Sequence, residues 1–339
     1  MKILHVIDEL NVGGAEKVFV TICNLLHKNH LDVNCLFLVK GGKLKQEINS
    51  DIPIYELERY SKWNVTKLFV CRNILKKFDI IHCHFKHVYL YIQLVCIIFK
   101  LNCKVILHNH SSKSLSSREI ILLKYLFKPK NIIVVDKKSK ELFKTKIKIN
   151  DTNIFLLHNI ITLNDNKTYN EKQYDLVLIG NIKRNKNNIF AVELAQELKM
   201  RLLIVGKNQD NYYYQNLKNK INTSNFIEIR EDIDDVSNIL NKCKLGLLVS
   251  YRETGPIVLL EYLYSGIPFL AYETGEISKI LKEDIPDFFV DSFDKNIWKE
   301  KVKDIISVEY DKNKLKEIVT QNFGENDFYS KLISIYKWV

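Results

Sequence analysis

Short apolar runs alternate with amphipathic stretches along almost the whole chain. In the first half, the runs with the length of a buried strand are Ile3–Ile7, Val33–Val39, Ile80–His84, Val105–His110, Ile132–Val135 and Ile154–Leu157. In the second half they are Leu176–Gly180, Leu202–Gly206, Phe226–Ile229, Leu245–Val249 and Pro268–Ala271. Alternation of strands with helices is typical of βαβ units. The pattern therefore predicts an α/β protein with doubly wound parallel sheets.

The stretches between these runs have helical periodicity. The clearest of them predicts a first helix with one apolar face, formed by Ala15, Val18, Phe19, Ile22, Leu25 and Leu26. The most apolar stretch, Val88–Phe99, has about twelve residues, whereas a membrane-spanning helix needs about 20. We therefore predict that Val88–Phe99 is a buried helix.

A polar stretch, Thr162–Gln173, separates the two series of runs and is the best candidate for a linker. The chain has 339 residues, which is enough for two domains with separate cores. Two doubly wound domains that face each other bind ligands in the cleft between the carboxyl ends of their strands. We therefore expect a ligand site in such a cleft.

Positive charge is concentrated in the first half of the chain. Residues 1–170 hold 27 Lys and Arg against 14 Asp and Glu, whereas residues 171–339 hold 24 against 26. The excess is densest in Lys100–Lys148, with thirteen basic and three acidic residues. Such a field predicts a polyanionic partner, either membrane lipid head groups, a phosphorylated acceptor or nucleic acid. A coding bias towards Lys would give a similar composition without a partner, but it does not explain the difference between the halves.

The chain carries no recognised nucleic-acid-binding motif, so we expect no nucleic-acid partner. Its seven cysteines include no C-x-x-C pair and mostly lie in apolar runs, which favours reduced, buried thiols in a cytoplasmic protein. The amino terminus, MKILHVIDEL, has too short an apolar run for a signal peptide and is typical of a first buried strand. We therefore expect a cytoplasmic location.

Two carboxylates, Glu253 and Glu261, lie eight residues apart around a predicted strand-to-helix junction. Gly255 is the predicted N-cap and Pro256 the first helical residue. A helix N-terminus presents unpaired N–H groups and the positive end of its dipole, which favours a phosphate or diphosphate. At ~1.5 Å per residue, the carboxylates lie roughly 12 Å apart along the axis. This spacing suits a ligand with hydroxyl groups on both sides of a diphosphate, and a nucleotide sugar has that layout.

Gly13 and Gly14 follow the first predicted strand and open the first predicted helix. Two glycines there allow a ligand to approach the backbone closely, although a Gly-Gly turn between a strand and a helix is common. The full G-x-G-x-x-G spacing is missing, and no acidic residue is well placed for a dinucleotide ribose. The pattern therefore disfavours a nicotinamide or flavin dehydrogenase.

His108 and His110 end a predicted strand at the same cleft, and one of them is a candidate donor to a sugar oxygen or a leaving phosphate. The H-x-H spacing, repeated at His82 and His84, also suits a metal, because residues two apart on a strand share a face. No acidic or cysteine cluster joins either pair, so we expect no metal. For His82 and His84 we expect a partly buried strand end.

Three cations, Lys183, Arg184 and Lys186, lie in the loop after the first strand of the second half. Such a loop can supply positive charge to a diphosphate leaving group without a metal. A solvated basic turn has the same composition, so the residues alone leave both interpretations open.

Ser116 and Glu119 have the spacing of a capping box at the start of a predicted helix, Ile120–Phe127. Four cations border the broad apolar face of this helix: Arg118, Lys124, Lys128 and Lys130. The segment is either an amphipathic helix on an anionic membrane surface or a core helix with a basic outer side.

Taken in order, these motifs resemble those of the family 4 retaining glycosyltransferases, which have the GT-B fold. The motifs that carry the resemblance are Gly13-Gly14-Ala15-Glu16, His110, Gly180 with Lys186 six residues later, Val205-Gly206, and the pair Glu253 and Glu261. The resemblance covers essentially the whole chain, including a closing helix at Asp327–Trp338. It implies an acceptor-binding Rossmann-like domain at residues 1–165 and a nucleotide-sugar-binding Rossmann-like domain at residues 166–322. Residues 323–339 would cross back to the first domain.

The same resemblance implies a role for each residue near the junction. Glu261 would hydrogen-bond the nucleotide ribose, and Glu253 would contact the sugar hydroxyls. Backbone N–H groups near Gly255, Ile257 and Val258 would hold the diphosphate.

Lys186 would join those N–H groups on the diphosphate, His110 would lie beside the donor sugar, and Gly14 would close over the phosphates. The implied enzyme needs neither a metal nor a cofactor and retains the anomeric configuration. Its acceptor would attack from the face that the leaving group departs from, and the leaving phosphate would help to take the acceptor proton.

The chain departs from the family pattern at Asn181, where Arg usually follows the glycine of the second domain's first loop. Lys183 or Arg184 would restore a charge there, although a lysine is a point charge and not a bidentate guanidinium. The usual Glu-Gly-Phe-Gly start of the paired-glutamate motif is Glu253-Thr254-Gly255-Pro256 here. This variant is similar to that of enzymes that assemble bacterial surface polysaccharides, such as capsules and exopolysaccharides.

We therefore predict a transferase that moves a sugar from a UDP- or GDP-linked donor to a lipid-linked or glycan acceptor. Its basic first half predicts a peripheral position on the inner face of the cell membrane. Asn181 keeps a second hypothesis open, a non-catalytic subunit that binds sugar nucleotides or acts as a scaffold.

Overall fold

The structure, a computed structural model, describes residues 1–11, 13–60, 65–110, 115–161, 172–222, 224–231 and 236–339. The chain forms two compact units. Unit 1 contains residues 1–161 and 325–339, and unit 2 contains residues 162–324. Most of the predicted linker Thr162–Gln173 lies outside the described residues, since the description resumes at residue 172.

Unit 1 is built on a seven-stranded parallel sheet with the order β3-β2-β1-β4-β5-β6-β7 in the described residues. The strands are β1 (Lys2–Ile7), β2 (Asp32–Phe37), β3 (Ile54–Glu56), β4 (Ile80–His84), β5 (Lys104–Asn109), β6 (Asn131–Val134) and β7 (Ile154–Leu156). The helices between them are α1 (Gly14–Lys28), α2 (Val65–Leu75), α3 (Lys86–Ile98), α4 (Ser117–Ile121) and α5 (Lys137–Leu142).

Alternate residues of the central strands line the two faces of this sheet. Leu4 and Val6 of β1 and Ile81 and Cys83 of β4 belong to one buried cluster that includes residues of α2 and α3. Successive side chains of a strand point to opposite faces, so His5, between Leu4 and Val6, lies on the other face. The strand alternation therefore separates an apolar face from a face that carries histidines.

Unit 2 has a six-stranded parallel sheet with the order β10-β9-β8-β11-β12-β13 in the described residues. The strands are β8 (Tyr174–Ile179), β9 (Leu202–Val205), β10 (Ile227–Arg230), β11 (Cys243–Leu248), β12 (Phe269–Tyr272) and β13 (Phe289–Val290). The helices are α6 (Asn188–Leu198), α7 (Asn211–Ile221), α8 (Val236–Leu240), α9 (Val258–Tyr264), α10 (Glu276–Asp284), α11 (Lys295–Ser307) and α12 (Lys312–Phe323).

The last helix, α13 (Glu325–Trp338), belongs to unit 1 although it follows unit 2 in the sequence. Leu332 and Tyr336 on its inner side are buried. At its start, Glu325 pairs with Lys28 of α1, with a distance of 3.0 Å between Oε2 and Nζ. The amino-terminal and carboxyl-terminal segments of the chain thus share one core.

The predicted α/β class with two doubly wound parallel sheets is confirmed. The apolar pattern does not predict β3 or β13, which have three and two residues and lie at the sheet edges. An edge strand this short makes hydrogen bonds to one neighbour and carries too few residues for an apolar run to show. All seven cysteines are free in the structure, and the predicted burial holds for six of them.

Helix α9 begins later than the sequence predicts. Its first residue is Val258 and its N-cap is Ile257, whereas the pattern predicts an N-cap at Gly255. The N–H groups of Leu259 and Leu260 donate to the carbonyls three residues before them, at 3.2 and 2.9 Å, so the first turn of the segment is tighter than an α-helical turn. The α-helix begins after this turn.

The predicted helix Ile120–Phe127 is divided in the structure. Helix α4 ends at Ile121, and a turn of π-helix follows over Leu122–Leu126. The predicted capping box is confirmed, because the N–H of Ser116 donates to Glu119 at 2.8 Å and the N–H of Glu119 donates to Ser116 Oγ at 3.3 Å.

The prediction of a buried helix at Val88–Phe99 is only half right. Helix α3 buries one side against the sheet, but Leu94, Ile97 and Ile98 on its other side are exposed. Within the described ranges, no helix has the length and apolar character needed to cross a membrane.

Candidate active site

A lysine and a glutamate from two neighbouring loops of unit 2 form an ion pair at the carboxyl ends of β8 and β11. Lys186 Nζ lies 2.5 Å from Glu253 Oε1, and the two side chains are 22% and 16% exposed. Because the pair is partly buried, water screens the attraction between the two charges less than it does in an exposed pair. Each side chain therefore holds the other in position. The structure thus brings together two residues that the sequence predicts separately as donor contacts.

The loop that carries Lys186 has an irregular backbone. Gly180, directly after β8, has a φ of +150°, which residues with a side chain rarely adopt. Asn185 links this loop to the next one, because its Nδ2 donates to the carbonyl of Arg252 at 2.8 Å. The N–H of Tyr251 donates in turn to the carbonyl of Asn185 at 3.0 Å. These bonds fix the two loops against each other beside the ion pair.

The loop that carries Glu253 is also fixed to the segment between β12 and α10. The N–H of Glu253 donates to Thr274 Oγ1 at 3.0 Å. Gly275 has a φ of +86°, and a Cβ at this position would lie 2.9 Å from the carbonyl oxygen of Thr254. A glycine is therefore required where the two segments meet.

The other predicted donor contacts lie in or next to α9. Ile257 and Val258 are buried, whereas Gly255 and Glu261 are half buried. Glu261 lies in the first turn of α9, where its N–H donates to the carbonyl of Ile257 at 3.1 Å. All four belong to the segment that follows Glu253 in the sequence.

The remaining polar residues of the β8 loop have different surroundings. Lys183 Nζ donates to Gln209 Oε1 at 2.9 Å, Arg184 is exposed, and Asn181 is half buried. Of the predicted cations in this loop, Lys186 is the one that pairs with Glu253.

Five histidines and one tyrosine form a continuous chain of hydrogen bonds in unit 1, which we call the histidine chain. From end to end its order is His110, His84, His5, Tyr336, His82 and His108. Its five links are His110 Nε2 to His84 Nδ1 (3.0 Å), His84 Nε2 to His5 Nδ1 (3.0 Å), His5 Nε2 to Tyr336 Oη (3.1 Å), Tyr336 Oη to His82 Nδ1 (2.7 Å), and His82 Nε2 to His108 Nδ1 (3.0 Å).

Strand register explains why these histidines meet. His5 of β1 is paired with His82 of β4, and His84 of β4 is paired with His108 of β5. Paired residues of parallel neighbours share a face of the sheet, and so do residues two apart on one strand. The ring of Tyr336 comes from α13, which packs on this face.

Burial keeps the histidine chain neutral at physiological pH. It lowers the pKa of His5 and of His110 to about 3, and it lowers the pKa of His82, His84 and His108 well below the ordinary value. The prediction of a partly buried strand end is wrong for His82 and His84, which have 0% exposure. Helices α1 and α13 cover the face of the sheet that carries these histidines.

Two overlapping groups in the histidine chain have the spacing of metal ligands. The nitrogens of His5, His82 and His84 lie within 4.8 Å of one another, and so do those of His84, His108 and His110. Neither group includes a carboxylate or a thiolate.

Elsewhere in unit 1, Gly13 is the N-cap of α1 and Gly14 is its first residue.

The four predicted membrane-patch cations lie on or after α4. Arg118, Lys128 and Lys130 are exposed, while Lys124 is half buried with Nζ 5.1 Å from the centre of the Tyr125 ring. Helices α2 and α3 pack on the same buried cluster as Leu123 of the segment 121–126. Eight of the fifteen large exposed apolar side chains in the described residues lie on α2, α3 and the segment 121–126, and they are Phe69, Val70, Leu94, Ile97, Ile98, Ile121, Tyr125 and Leu126.

Sequence reasoning does not find four residues that shape these sites: His5, Tyr336, Asn185 and Thr274. A signal exists for His5, a polar residue inside an apolar strand run. None exists for Tyr336, because its contact with the histidines depends on where α13 packs.

Two family models match the chain. The model described as Glycosyltransferase Family 4 matches residues 12–165, and the model described as Glycosyl transferases group 1 matches residues 160–322.

Two bacterial relatives are similar over most of their length. A capsular polysaccharide biosynthesis glycosyltransferase, CapH, of Staphylococcus aureus is 23% identical over 91% of each chain. An alpha-1,4-N-acetyl-D-galactosaminyltransferase of Campylobacter jejuni is 25% identical over 78% of this chain and 77% of its own. Its name gives a PP-undecaprenol-linked acceptor.

Among solved structures, Alr3699/HepE of Anabaena in complex with UDP and glucose has a TM-score of 0.82. It is 13% identical, and the match covers 100% of both chains. This likeness concerns the fold.

Proposed function

We propose that this chain, which belongs to the family 4 glycosyltransferases of the GT-B fold, moves a sugar from a nucleotide-sugar donor to a lipid-linked or glycan acceptor in cell-surface polysaccharide biosynthesis. The observation that carries the proposal is the ion pair of Lys186 and Glu253, within the region that the group 1 model matches. The class of acceptor is supported by the names of the two bacterial relatives.

The donor diphosphate would bind at Lys186. In the structure, Lys186 and Glu253 neutralise each other at a distance of 2.5 Å. A diphosphate carries more negative charge than one carboxylate, so it would compete for the ammonium group. Glu253 would then be free to accept hydrogen bonds from the sugar hydroxyls. The pair thus holds both groups in place until the donor binds.

The remaining donor contacts follow from the family resemblance. Backbone N–H groups near Gly255, Ile257 and Val258 would bind the phosphates, with Lys183 as a further cation and Glu261 on the ribose. From unit 1, we assign His110 to the donor sugar and Gly14 to the phosphates. UDP is our first choice of nucleotide, because the similar Anabaena structure holds UDP, and GDP is the second.

The proposed reaction retains the configuration at the anomeric carbon and needs no metal. The acceptor oxygen would attack the anomeric carbon from the face on which the diphosphate leaves. The bond from that carbon to the phosphate oxygen breaks, and a phosphate oxygen takes the proton of the acceptor hydroxyl. Lys186 and the backbone N–H groups would stabilise the negative charge that develops on the leaving group.

We place the reaction at the inner face of the cell membrane, with the enzyme bound peripherally. The exposed apolar side chains of α2, α3 and the segment 121–126 would contact the lipid, and Lys124, Lys128 and Lys130 would contact anionic head groups. A lipid-linked acceptor would be delivered at the same surface.

The proposed chemistry is tested by replacing Glu253. In Glu253→Ala the sugar hydroxyls lose a charged hydrogen-bond acceptor worth about 1.5–3 kcal/mol, so we expect transfer to fall about 10- to 100-fold. Donor consumption and product formation are followed by mass spectrometry with a panel of UDP and GDP sugars. Glu197→Ala is the matched control, because Glu197 also forms ion pairs in unit 2, at 2.8 Å from Lys295 and Lys299.

Unchanged transfer by Glu253→Ala would show that the site is assigned wrongly. Asn181 favours a second candidate, a non-catalytic subunit that binds sugar nucleotides. Donor binding by the wild-type chain without transfer or donor hydrolysis is the result that this candidate predicts.

A further inference from the structure

We propose that the histidine chain acts as one unit that fixes the tautomer of His110, with His84, His5, Tyr336, His82 and His108 as positioning residues. The existence of this unit follows from the geometry of unit 1 alone. Its effect on transfer rests on the proposed function, in which His110 contacts the donor sugar.

A count of protons shows that the neutral histidine chain has two low-energy arrangements. Each neutral imidazole has one N–H and one lone pair, and the phenol has one O–H. Each of the five links needs one proton. An imidazole that donates on one side must therefore accept on the other. The phenol oxygen could accept from both neighbours, but its own O–H would then be buried without an acceptor, so the favoured arrangements have all six groups donating in the same direction.

This shared direction gives all five histidines the same tautomer. Along the chain, every link between two imidazoles joins an Nε2 to an Nδ1, and the phenol joins His5 Nε2 to His82 Nδ1. One direction places the proton on Nε2 of all five rings. The other places it on Nδ1 of all five.

The surroundings of His110 and His108, at the two ends of the histidine chain, favour the Nδ1 arrangement. Burial lowers the pKa of His110, but the side chain of Asn159 raises it, as an acceptor facing a ring N–H does. The two end nitrogens, His110 Nδ1 and His108 Nε2, are both buried, and neither makes a well-formed hydrogen bond within the described ranges. Asn159 offers His110 an acceptor, whereas His108 Nε2 faces none, so a proton costs less on His110 Nδ1 than on His108 Nε2. His110 would then offer Nδ1–H as a donor, while its Nε2 accepts from His84.

The ring geometry fits hydrogen bonding better than a metal centre. The rings of His108 and His110 are stacked, with centroids 4.0 Å apart and 30° between planes. Those of His82 and His84 are also stacked, at 4.6 Å and 11°. Imidazoles that bind one ion approach it with their nitrogens from different directions, so they do not stack in this way.

The first test is the tautomer of each histidine in the full chain, read from two-bond ¹H–¹⁵N correlation spectra of ¹⁵N-histidine-labelled protein at neutral pH. We expect one shared tautomer for the five rings, assigned by single substitutions. A mixture of Nδ1–H and Nε2–H forms among them would overturn the proposal. So would the binding of one zinc ion by the wild type that is lost in His84→Ala, since a metal would occupy the nitrogens that the links require.

The second test is Tyr336→Phe, which keeps the buried ring and removes the O–H that joins the two halves of the chain. We expect His82 and His108 to lose the tautomer shared with His5, His84 and His110. Phe19→Leu is the control, because the Phe19 ring packs 4.9 Å from that of His84 and takes no part in a link. Identical tautomers in Tyr336→Phe and wild type would refute the coupling through the phenol.

The final readout is transfer. The outer hydrogen-bond partners of metal-ligating histidines contribute about 10- to 100-fold, and a partner that fixes the tautomer of His110 acts in the same way. We therefore expect kcat of Tyr336→Phe to fall on the order of 10-fold with little change in KM. Phe19→Leu should retain wild-type kcat. Equal kcat in the two variants would overturn the positioning role. Absence of transfer in the wild type would refute the proposed function and, with it, the effect of the histidine chain on transfer. The spectra would still decide whether the histidine chain exists.

Discussion

Burial of the five imidazoles makes unit 1 sensitive to acid. In the folded chain, burial lowers the pKa of His5 and His110 to about 3, and the other three lie well below the ordinary value. In the unfolded chain each histidine titrates near 6.5. Below that pH the unfolded state binds more protons than the folded state, so the free energy of unfolding falls as the pH falls.

We therefore predict a steep loss of stability on acidification. Each buried histidine contributes up to about 1.4 kcal/mol per pH unit below its unfolded pKa, so the loss between pH 6.5 and 5 should reach several kcal/mol. Urea denaturation across this range measures it. His82→Gln should reduce the slope by about one proton relative to wild type, whereas His30→Asn, at an exposed position, should leave it unchanged. A free energy of unfolding that does not vary between pH 7.5 and 5 would contradict the account.

Single residues of the site were predictable from sequence, but their partners were not. Lys186 and Glu253 stand out by motif, yet their contact depends on β8 and β11 being neighbours in the sheet. His110 stands out at a strand end, whereas Tyr336 lies more than 220 residues away and reaches the histidines only because α13 packs on that face. Tertiary packing decides both contacts.

At the scale of elements, the outer side of α2 and α3 is the least expected feature. Leu94, Ile97 and Ile98 have the spacing of a buried helical stripe but are exposed. Residues 66–104 hold seven Lys or Arg and one Asp, so a second copy of this surface would be repelled. An anionic membrane fits both the apolar stripe and the charge.

We predict that the chain co-sediments with anionic vesicles and that salt weakens this binding. Replacing Leu94, Ile97 and Ile98 by Gln together should reduce the bound fraction strongly, because the apolar contact is lost. Neutralising the three lysines at 124, 128 and 130 should reduce it as well. A double Gln variant at Tyr212 and Val308, which are also exposed, is the control. Equal binding by the control and the α3 variant would reject this surface.

The positions of the elements follow from sequence better than their ends do. Apolar runs locate the central strands to within a residue or two, because buried parallel strands are apolar on both faces. The start of α9 is set instead by a tight first turn, in which Leu259 and Leu260 donate to the carbonyls three residues before them, and no local pattern reveals this turn. The edge strands β3 and β13 are too short for an apolar run to show.

At the scale of the whole molecule, one family model matches each of two regions that together span residues 12–322. The closing helix α13 lies beyond both regions and belongs to unit 1. Tyr336 of this helix joins His5 to His82 in the histidine chain. The end of the chain thus contributes to the same core as its first strand.

The most direct test of the central claim, a donor diphosphate bound at Lys186, is thermal shift of the purified chain with nucleosides, nucleoside diphosphates and nucleotide sugars. A ligand at about 100 times its Kd stabilises by about 2.7 kcal/mol, which should raise Tm by roughly 5–10 °C. We predict this rise with UDP, GDP or their sugars, none with nucleosides, and its loss in Lys186→Ala. Lys220→Ala, which removes an ion pair with Glu193 in the same unit, should keep it. No shift with any nucleoside diphosphate or nucleotide sugar, or an equal shift in Lys186→Ala, would contradict the account.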